Sequence, residues 1–482
     1  MNRRKLLGMS VLTGLGCAVP LARAADQKPT VSPEMDRLSG YMSAAAGRAL
    51  PADVAEQAKF HILDTLAAIV SGSSLLPGQA ANRYVRMHAG RGDRTVIASG
   101  LTAGPVDAAL ANGVMGHADE TDDSHGRSRS HPGCAVIPAA LAAGEEFGID
   151  GSQFLRAVTL GYDVGTRVLM AMGGPTFSYE SHKSSHSIAG VFGAAAAAAC
   201  AAGLNAQQMR WVLDYTAQQS SGIAAWGRDV DHIEKAFVFG GMPARSGVTS
   251  ALLVQSGWTG IDDIFSGPEN FFMAYAPGAK PSELVDKLGE RYEIALTDIK
   301  KWTVGSPIQG PLDAVESIRK KHPFEAAQVQ RVVVRLGGAA ARVVDNRDIP
   351  DICLQHMMAI MLLDKTVSFR AAHDLSRMKN PDVLRQRAKV ELVSDETLTK
   401  LLPVRVAVVE VTLEDGTVLS DRVDAVRGTP RNPMTRAEVV AKATDLLVPI
   451  LGTEQSAQVV DTVFSIETLG SIQLLGALLR SV

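Results

Sequence analysis

Cysteine is scarce in this chain, with four in 482 residues. No two of Cys17, Cys134, Cys200 and Cys353 have the spacing of a zinc knuckle or a redox pair. Buried free thiols are therefore the expected state. Basic charge is not in excess either: 48 Lys and Arg stand against 51 Asp and Glu, for a formal net charge of −3. That balance excludes the broad basic face nucleic acid requires. A phosphate loop, a GxGxxG after a strand and an HExxH are all missing, so no dedicated cofactor or metal signature is present. Aromatics are 5% of the residues, which with abundant alanine and glycine suits closely packed helices.

What is present begins at the amino terminus. Arg3-Arg4-Lys5 precede an apolar run from Leu6 to Val19, and Ala22-Arg23-Ala24 has the small-x-small form of a cleavage site. The arginine pair followed by Leu6 and Leu7 resembles a twin-arginine signal, which hands folded proteins to the twin-arginine export machinery. The apolar run is shorter than the ~20 residues of a membrane span. Residues 1–24 are thus expected to be a cleaved leader, removed near Ala24, with the rest in the periplasm and no stable membrane anchor.

The length favours two domains. From Leu38 to Gly257 the pattern is helical almost throughout, with apolar spacing of three and four over Val54–Val70, Val106–Ala118, Ala135–Phe147 and Gly151–Met172. Gly193–Ala202 is nearly all alanine and belongs at the centre of a bundle, where backbones approach closely. Past Pro277 the pattern changes. Gln330–Leu336 reads as a strand, and Val404–Leu413 and Thr417–Val426 read as two more, joined by the hairpin signal Glu414-Asp415-Gly416. Helical patterns at Pro311–Lys321, Gln355–Leu363 and Asp382–Lys389 lie between them. Helix returns over Arg436–Leu451 and Ile466–Leu479. The expected fold is α-rich and two-domain: a large all-helical domain built from both chain ends (33–276 and 433–482), with an inserted smaller α+β lid domain (277–432).

Chemistry-bearing residues cluster in four places. The densest runs from His117 through Asp119, Glu120, Asp122, Asp123, Ser124 and His125 to Arg127, Arg129 and His131-Pro132. It connects two apolar helices, and carboxylates crowded beside imidazoles shift one another's pKa values as acid–base chemistry needs. His117, at a helix end, reads as structural, and His131, fixed before a proline, as the catalytic candidate. Any one of the aspartates has an equal reading as a helix cap or an arginine partner. The second cluster is His182-Lys183-Ser184-Ser185-His186, before Gly190 and the alanine helix, where a helix start holds an anion or a capping serine. The third is Trp226 to Lys235, ahead of Gly240-Gly241 and Arg245. The fourth is Lys300-Lys301 with Gly305-Ser306-Pro307, read evenly as a ligand site or a solvated face.

These clusters carry a resemblance to the MmgE/PrpD family of 2-methylcitrate dehydratases and cis-aconitate decarboxylases. The matching stretches are Asn112-Gly113 through His131-Pro132 with Val136-Ile137-Pro138-Ala139, then Gly161-Tyr162-Asp163-Val164-Gly165-Thr166-Arg167. Gly190 to Gly193, Gly241 to Gly247 and Gly428 to Pro433 follow in order, so the resemblance runs from about residue 34 to 480. It implies a helical domain with an α+β lid, a homodimer, a cleft active site and no required cofactor. The family motif Asp-Phe-Asp-Asp-Thr reads Glu120-Thr121-Asp122-Asp123-Ser124 here, which places Glu120, Ser124 and His131 in the site. A second family histidine falls on Ser184, with His182 or His186 as substitutes. A family lysine falls on Lys235, and a lid histidine on Gln309.

On this basis the expected activity is that of a cofactor-free lyase, a dehydratase of a small hydroxylated di- or tricarboxylic acid. His131 with His182 or His186 would move protons, while Glu120, Asp122 and Ser124 orient them or the leaving hydroxyl. Lys235, Arg245, Lys300, Lys301 and Gln309 would bind the substrate. Epimerisation and decarboxylation share the same carbanion-like intermediate. Two further alternatives are metal-dependent hydrolysis through His117, Asp119, Asp122 and His125, and a non-catalytic periplasmic carboxylate-binding protein. Replacing His131 with glutamine is expected to abolish turnover, and a normal rate in that variant would overturn its assignment.

Overall fold

Alanine shapes the centre of the helical part. In the computed structural model, which describes residues 31–401 and 404–480, the Ser185–Ala201 helix is buried along its whole length. The leader expected at 1–24, with Cys17, lies outside the described residues. Side chains this small let the helices Gly133–Phe147, Gly151–Ala171 and Met242–Gln255 close in around the Ser185–Ala201 helix. Contact is made through backbone: a β-carbon added at Gly165 would lie 2.3 Å from the carbonyl oxygen of Ala189.

Both ends of the chain meet in this core. The Ala52–Gly72 helix packs against Arg436–Phe464. Thr435 and Glu438 start the later helix with a reciprocal capping box. Lys442 from that helix reaches Asp64 at 2.6 Å, both side chains buried, and donates to the Thr121 carbonyl at 3.0 Å.

A second hydrophobic core begins at Trp302 and gathers Ile308, Leu312, Val332, Val334, Met357, Ile360 and Val409. It lines a four-stranded sheet in the order β4-β3-β5-β6, formed by β3 (Val329–Leu336), β4 (Val390–Ser394), β5 (Ala407–Leu413) and β6 (Val418–Val423). The β3–β4 pair is parallel and the other two antiparallel. Helix Ser306–Lys321 packs on β5 and β6, and Leu354–Asp364 on β4. The turn between β5 and β6 is Glu414-Asp415-Gly416, where Gly416 takes φ 86°.

The chain is helix-rich with a small sheet, and several elements differ from expectation. The helical part is not all-helical: a hairpin of Arg94–Val96 (β1) and Leu101–Ala103 (β2) stands in it. Three residues per strand are too few to show a period. Their polar backbone is satisfied from outside, Thr95 donating its N–H and hydroxyl to Glu145 at 2.7 Å each. Strand β4 was not expected: it follows directly on the helix read over Asp382–Lys389, which ends at Arg387, and Val390 pairs in parallel with the distant Val332. The helix expected to stop at Leu451 continues to Phe464 through a break at Gly452, φ 75°. The final helix is a short turn, Ile466–Thr468, and a separate Gln473–Leu478.

The glycine contact generates a stability test. Gly165→Ala must push the Ala189 backbone away and should lower unfolding free energy by ~1–3 kcal/mol. An unchanged denaturation midpoint would contradict the close backbone approach.

Candidate functional site

The Pro105–Gly116 helix ends where glycine gives way to His117, and the next helix starts at Gly133. Each carboxylate of the connection between them has its own partner. Asp123 turns into the helical core, where His61 Nδ1 (2.9 Å), the Tyr162 hydroxyl (2.5 Å) and the Gly133 N–H (3.0 Å) surround it. It anchors the base of the loop. Ser124 and Asp298 exchange backbone hydrogen bonds of 3.0 and 2.8 Å. The Ser124 hydroxyl is left buried without a partner. His125 bonds Ser128 at 2.8 Å and faces Glu293 at 3.2 Å.

Asp122 sits between two imidazoles. Its Oδ2 meets His117 Nδ1 at 2.9 Å and its Oδ1 meets His131 Nδ1 at 3.1 Å. Burial alone would raise this carboxyl, but His117, His131 and the Lys300 ammonium 3.6 Å away hold it well below the usual carboxylate range. An ionised carboxylate only accepts, so both Nδ1 atoms carry the hydrogen. Burial pushes the His131 imidazole below its ordinary value against the pull of Asp122. His131 thus rests as a neutral base, aligned by a carboxylate.

Phe239 forms the floor beside them. It belongs to a π-helical turn, Phe237–Gly241, a local widening frequent at functional sites. His186 stacks on it at 3.8 Å between centroids and His117 at 4.3 Å. The His131 and His186 rings are 5.1 Å apart, and Trp226 stands edge-on to both Phe239 and His186. Burial, then the neighbouring His131 and Arg129, keep the His186 imidazole well below the usual range.

Cations line the other side. Lys235 pairs with Glu120 and lies 5.4 Å from the Phe239 ring centre. Burial would raise the Glu120 carboxyl, but Lys235 and Lys300 hold it well below its ordinary value. Lys300 is itself buried and donates to the Glu120 carbonyl at 2.7 Å. The second core adds His373, 3.0 Å from Asp119, with Asp351 4.0 Å away. Burial works against the charged imidazole, but Asp119 and Asp351 outweigh it and raise His373 to about 9.

Glu120, Asp122, His131, His186, Lys235 and Lys300 are therefore brought together, while other expected residues are not. His182 is exposed in a left-handed conformation, φ 57°, four residues before the ring that does reach Phe239. Arg245 lies on the outer side, where its charge is felt by Tyr84, which bonds Asp107 at 3.2 Å. Lys301 turns to Glu316 at 2.6 Å and covers Trp302. Gln309 spends its amide on the backbone of Trp302 and Val304, at 2.7–3.0 Å, so it braces a turn.

The hydrolytic quartet also fails to converge, since Asp119 is held by Thr121 and His373, and His125 by Ser128 and Glu293. The ligand atoms that do lie within 4.8 Å of one another belong to His117, Glu120 and His232, or to His117, Asp122 and Cys134. Burial, then Asp122 and Asp123, raise the Cys134 thiol well above its ordinary value, so it stays protonated. Sequence reading missed Phe239, His232 and His373. Only His232 carried a signal, as part of the Trp226–Lys235 cluster.

The His373 pair gives a pH test. Its stabilisation is complete below the unfolded histidine value near ~6.5 and disappears as pH rises through about 9. His373→Gln should therefore lower Tm at neutral pH, with the gap from the parent closing above pH 9. A gap independent of pH would show that the charge pair is not what His373 contributes.

Comparison with known proteins agrees along nearly the whole chain. The model of the MmgE/PrpD N-terminal domain matches residues 36–284, and that of the MmgE/PrpD C-terminal domain matches 302–466. The chain is 24% identical over 468 residues to the cis-aconitate decarboxylase of Aspergillus terreus (strain NIH 2624 / FGSC A1156), covering 89% of this chain and 92% of that protein. It is 26% identical over 455 residues to the cis-aconitate decarboxylase of Homo sapiens, covering 89% and 90%. A cis-aconitate decarboxylase-like protein, oryM, of Aspergillus oryzae is 27% identical over 311 residues, covering 60% of this chain and 63% of that protein.

Proposed function

The chain belongs to the MmgE/PrpD family, and on that premise we propose that it is a lyase for a small di- or tricarboxylic acid, releasing carbon dioxide. The observation that carries this reading is the Asp122 carboxylate gripping His117 and His131 by their Nδ1 atoms beside the Lys235–Glu120 pair. A substrate carboxylate takes the ammonium of Lys235, the less buried of the two site lysines. As the C–C bond breaks, its electron pair stays on carbon, spread toward a neighbouring carboxylate, and carbon dioxide departs. His131, having taken up a proton with the anionic substrate, returns it from Nε2 to that carbon. The relatives named as cis-aconitate decarboxylases support the release of carbon dioxide.

Dehydration is the second reading, and the depressed basicity of His131 favours it. A resting neutral imidazole is ready to remove a proton next to a carboxylate, after which hydroxide leaves with a proton from an acid in the site. The Ser124 hydroxyl, buried and unpartnered, would hydrogen-bond the leaving oxygen. In either reaction the second core acts as a lid over the cleft, through the His373–Asp119 contact. We further propose that the enzyme works as a homodimer, exported to the periplasm by the leader ending near Ala24.

Two experiments test this. Purified protein is incubated with hydroxy- and unsaturated di- and tricarboxylic acids and the products are weighed. Loss of carbon dioxide supports the first reading and loss of water the second, while no turnover across the panel sinks both. Asp122→Asn, which can no longer hold both imidazoles in one tautomer, should cut kcat by roughly 10²–10⁴-fold. A kcat within a factor of a few of the parent would show that the double grip is not catalytic.

A further inference from the structure

Two buried imidazole nitrogens beside Glu120 have no partner in the site just described. His117 Nε2 and His232 Nε2 make no hydrogen bond, although a buried polar atom left unmatched costs about 1–3 kcal/mol. His117 donates from Nδ1 to Asp122, which leaves Nε2 as the ring nitrogen open to a ligand. His232 is held in a left-handed conformation, φ 64°, which a non-glycine residue adopts at some cost. The turn that imposes it is fastened by Asp229, which accepts from the N–H groups of Asp231 (3.2 Å) and Lys235 (2.8 Å). The His117 and His232 rings are 5.3 Å apart. One nitrogen from each ring and a carboxylate oxygen of Glu120 lie within 4.8 Å of one another.

We propose that His117, Glu120 and His232 form a binding site for one divalent ion of the Zn²⁺ class. Two imidazoles and one carboxylate suit a borderline cation, and they leave a fourth position for water or a ligand oxygen. Oxygen-seeking Mg²⁺ and Ca²⁺ do not match a set with two nitrogens. Asp122 supplies the outer carboxylate that orients and strengthens a metal-bound histidine. Lys235 is the competitor, because its ammonium already rests on Glu120. A doubly charged ion replaces it on that carboxylate and sets a second positive charge beside it. The site does not depend on which reaction the enzyme performs.

The test uses the purified, tag-free protein and metal alone. Zn²⁺ binding is measured by equilibrium dialysis, and Co²⁺ is titrated in parallel while the visible d–d bands are recorded. One equivalent per chain with intense, tetrahedral-type Co²⁺ bands is expected. His232→Asn keeps a residue tolerant of the left-handed conformation but removes a ligand, and should abolish both signals. Glu120→Gln should do the same. Failure of the parent protein to retain an ion, or retention undiminished in both variants, would overturn the site.

Discussion

The ionised carboxylate of Asp122, closed off from water, sets the terms for everything around it. A lone buried charge is prohibitively costly, so the fold surrounds this one with His117, His131 and Lys300. Each partner then inherits a constraint. The two imidazoles are fixed in tautomer and direction, and Lys300 is drawn so far inward that it also holds the Glu120 carbonyl. Glu120 in turn needs Lys235, which lies against the aromatic floor of Phe239 and Trp226. One desolvated charge thus organises a neutral group of two carboxylates and two ammonium ions. Beside it stand the His131 and His186 imidazoles, kept uncharged chiefly by burial.

The loop can carry this load because it is fastened at both faces. Asp123 ties it to the helical core through His61 and Tyr162, and Asp119 ties it to the second core through His373. Alternation of neighbours along the chain does this economically, since Asp122 and Asp123 point to different partners. The helical core supplies rigidity by backbone contact at Gly165 and Gly193, Lys300 enters just ahead of the sheet-bearing core, and that core supplies His373. Preorganisation of this kind lowers the reorganisation needed when charge moves in the reaction.

Much of this architecture is visible in the residues themselves, where local pattern governs. The alanine run announces a tightly surrounded helix, and Glu414-Asp415-Gly416 announces its hairpin. Strands β1, β2 and β4 are not visible, because short segments owe their state to distant partners such as Glu145 and Val332. The site divides in the same way. Glu120, Asp122 and His131 stand in one dense segment and reveal themselves. His373 and Phe239 sit in ordinary sequence and matter only because folding delivers them. Two misplaced candidates share a cause: Lys301 and Gln309 have chemically able side chains, but ability depends on whether a neighbour has already claimed the group. Glu316 claims Lys301, and the Trp302 and Val304 backbone claims Gln309. His182 stands exposed in a left-handed conformation ahead of the helix, whereas His186 is buried in its first turn.

The reach of Lys442 has a consequence for synthesis. Its ammonium joins Asp64 to the carbonyl of Thr121, a contact that spans 321 positions of sequence. A nascent chain short of residue 442 has the acidic loop, its histidines and most of the helices, yet Asp64 is a buried acid with no counter-ion. Closing so distant a contact is slow and comes after local helices have formed. The site is therefore unfinished until residue 442 has been made and has reached the core.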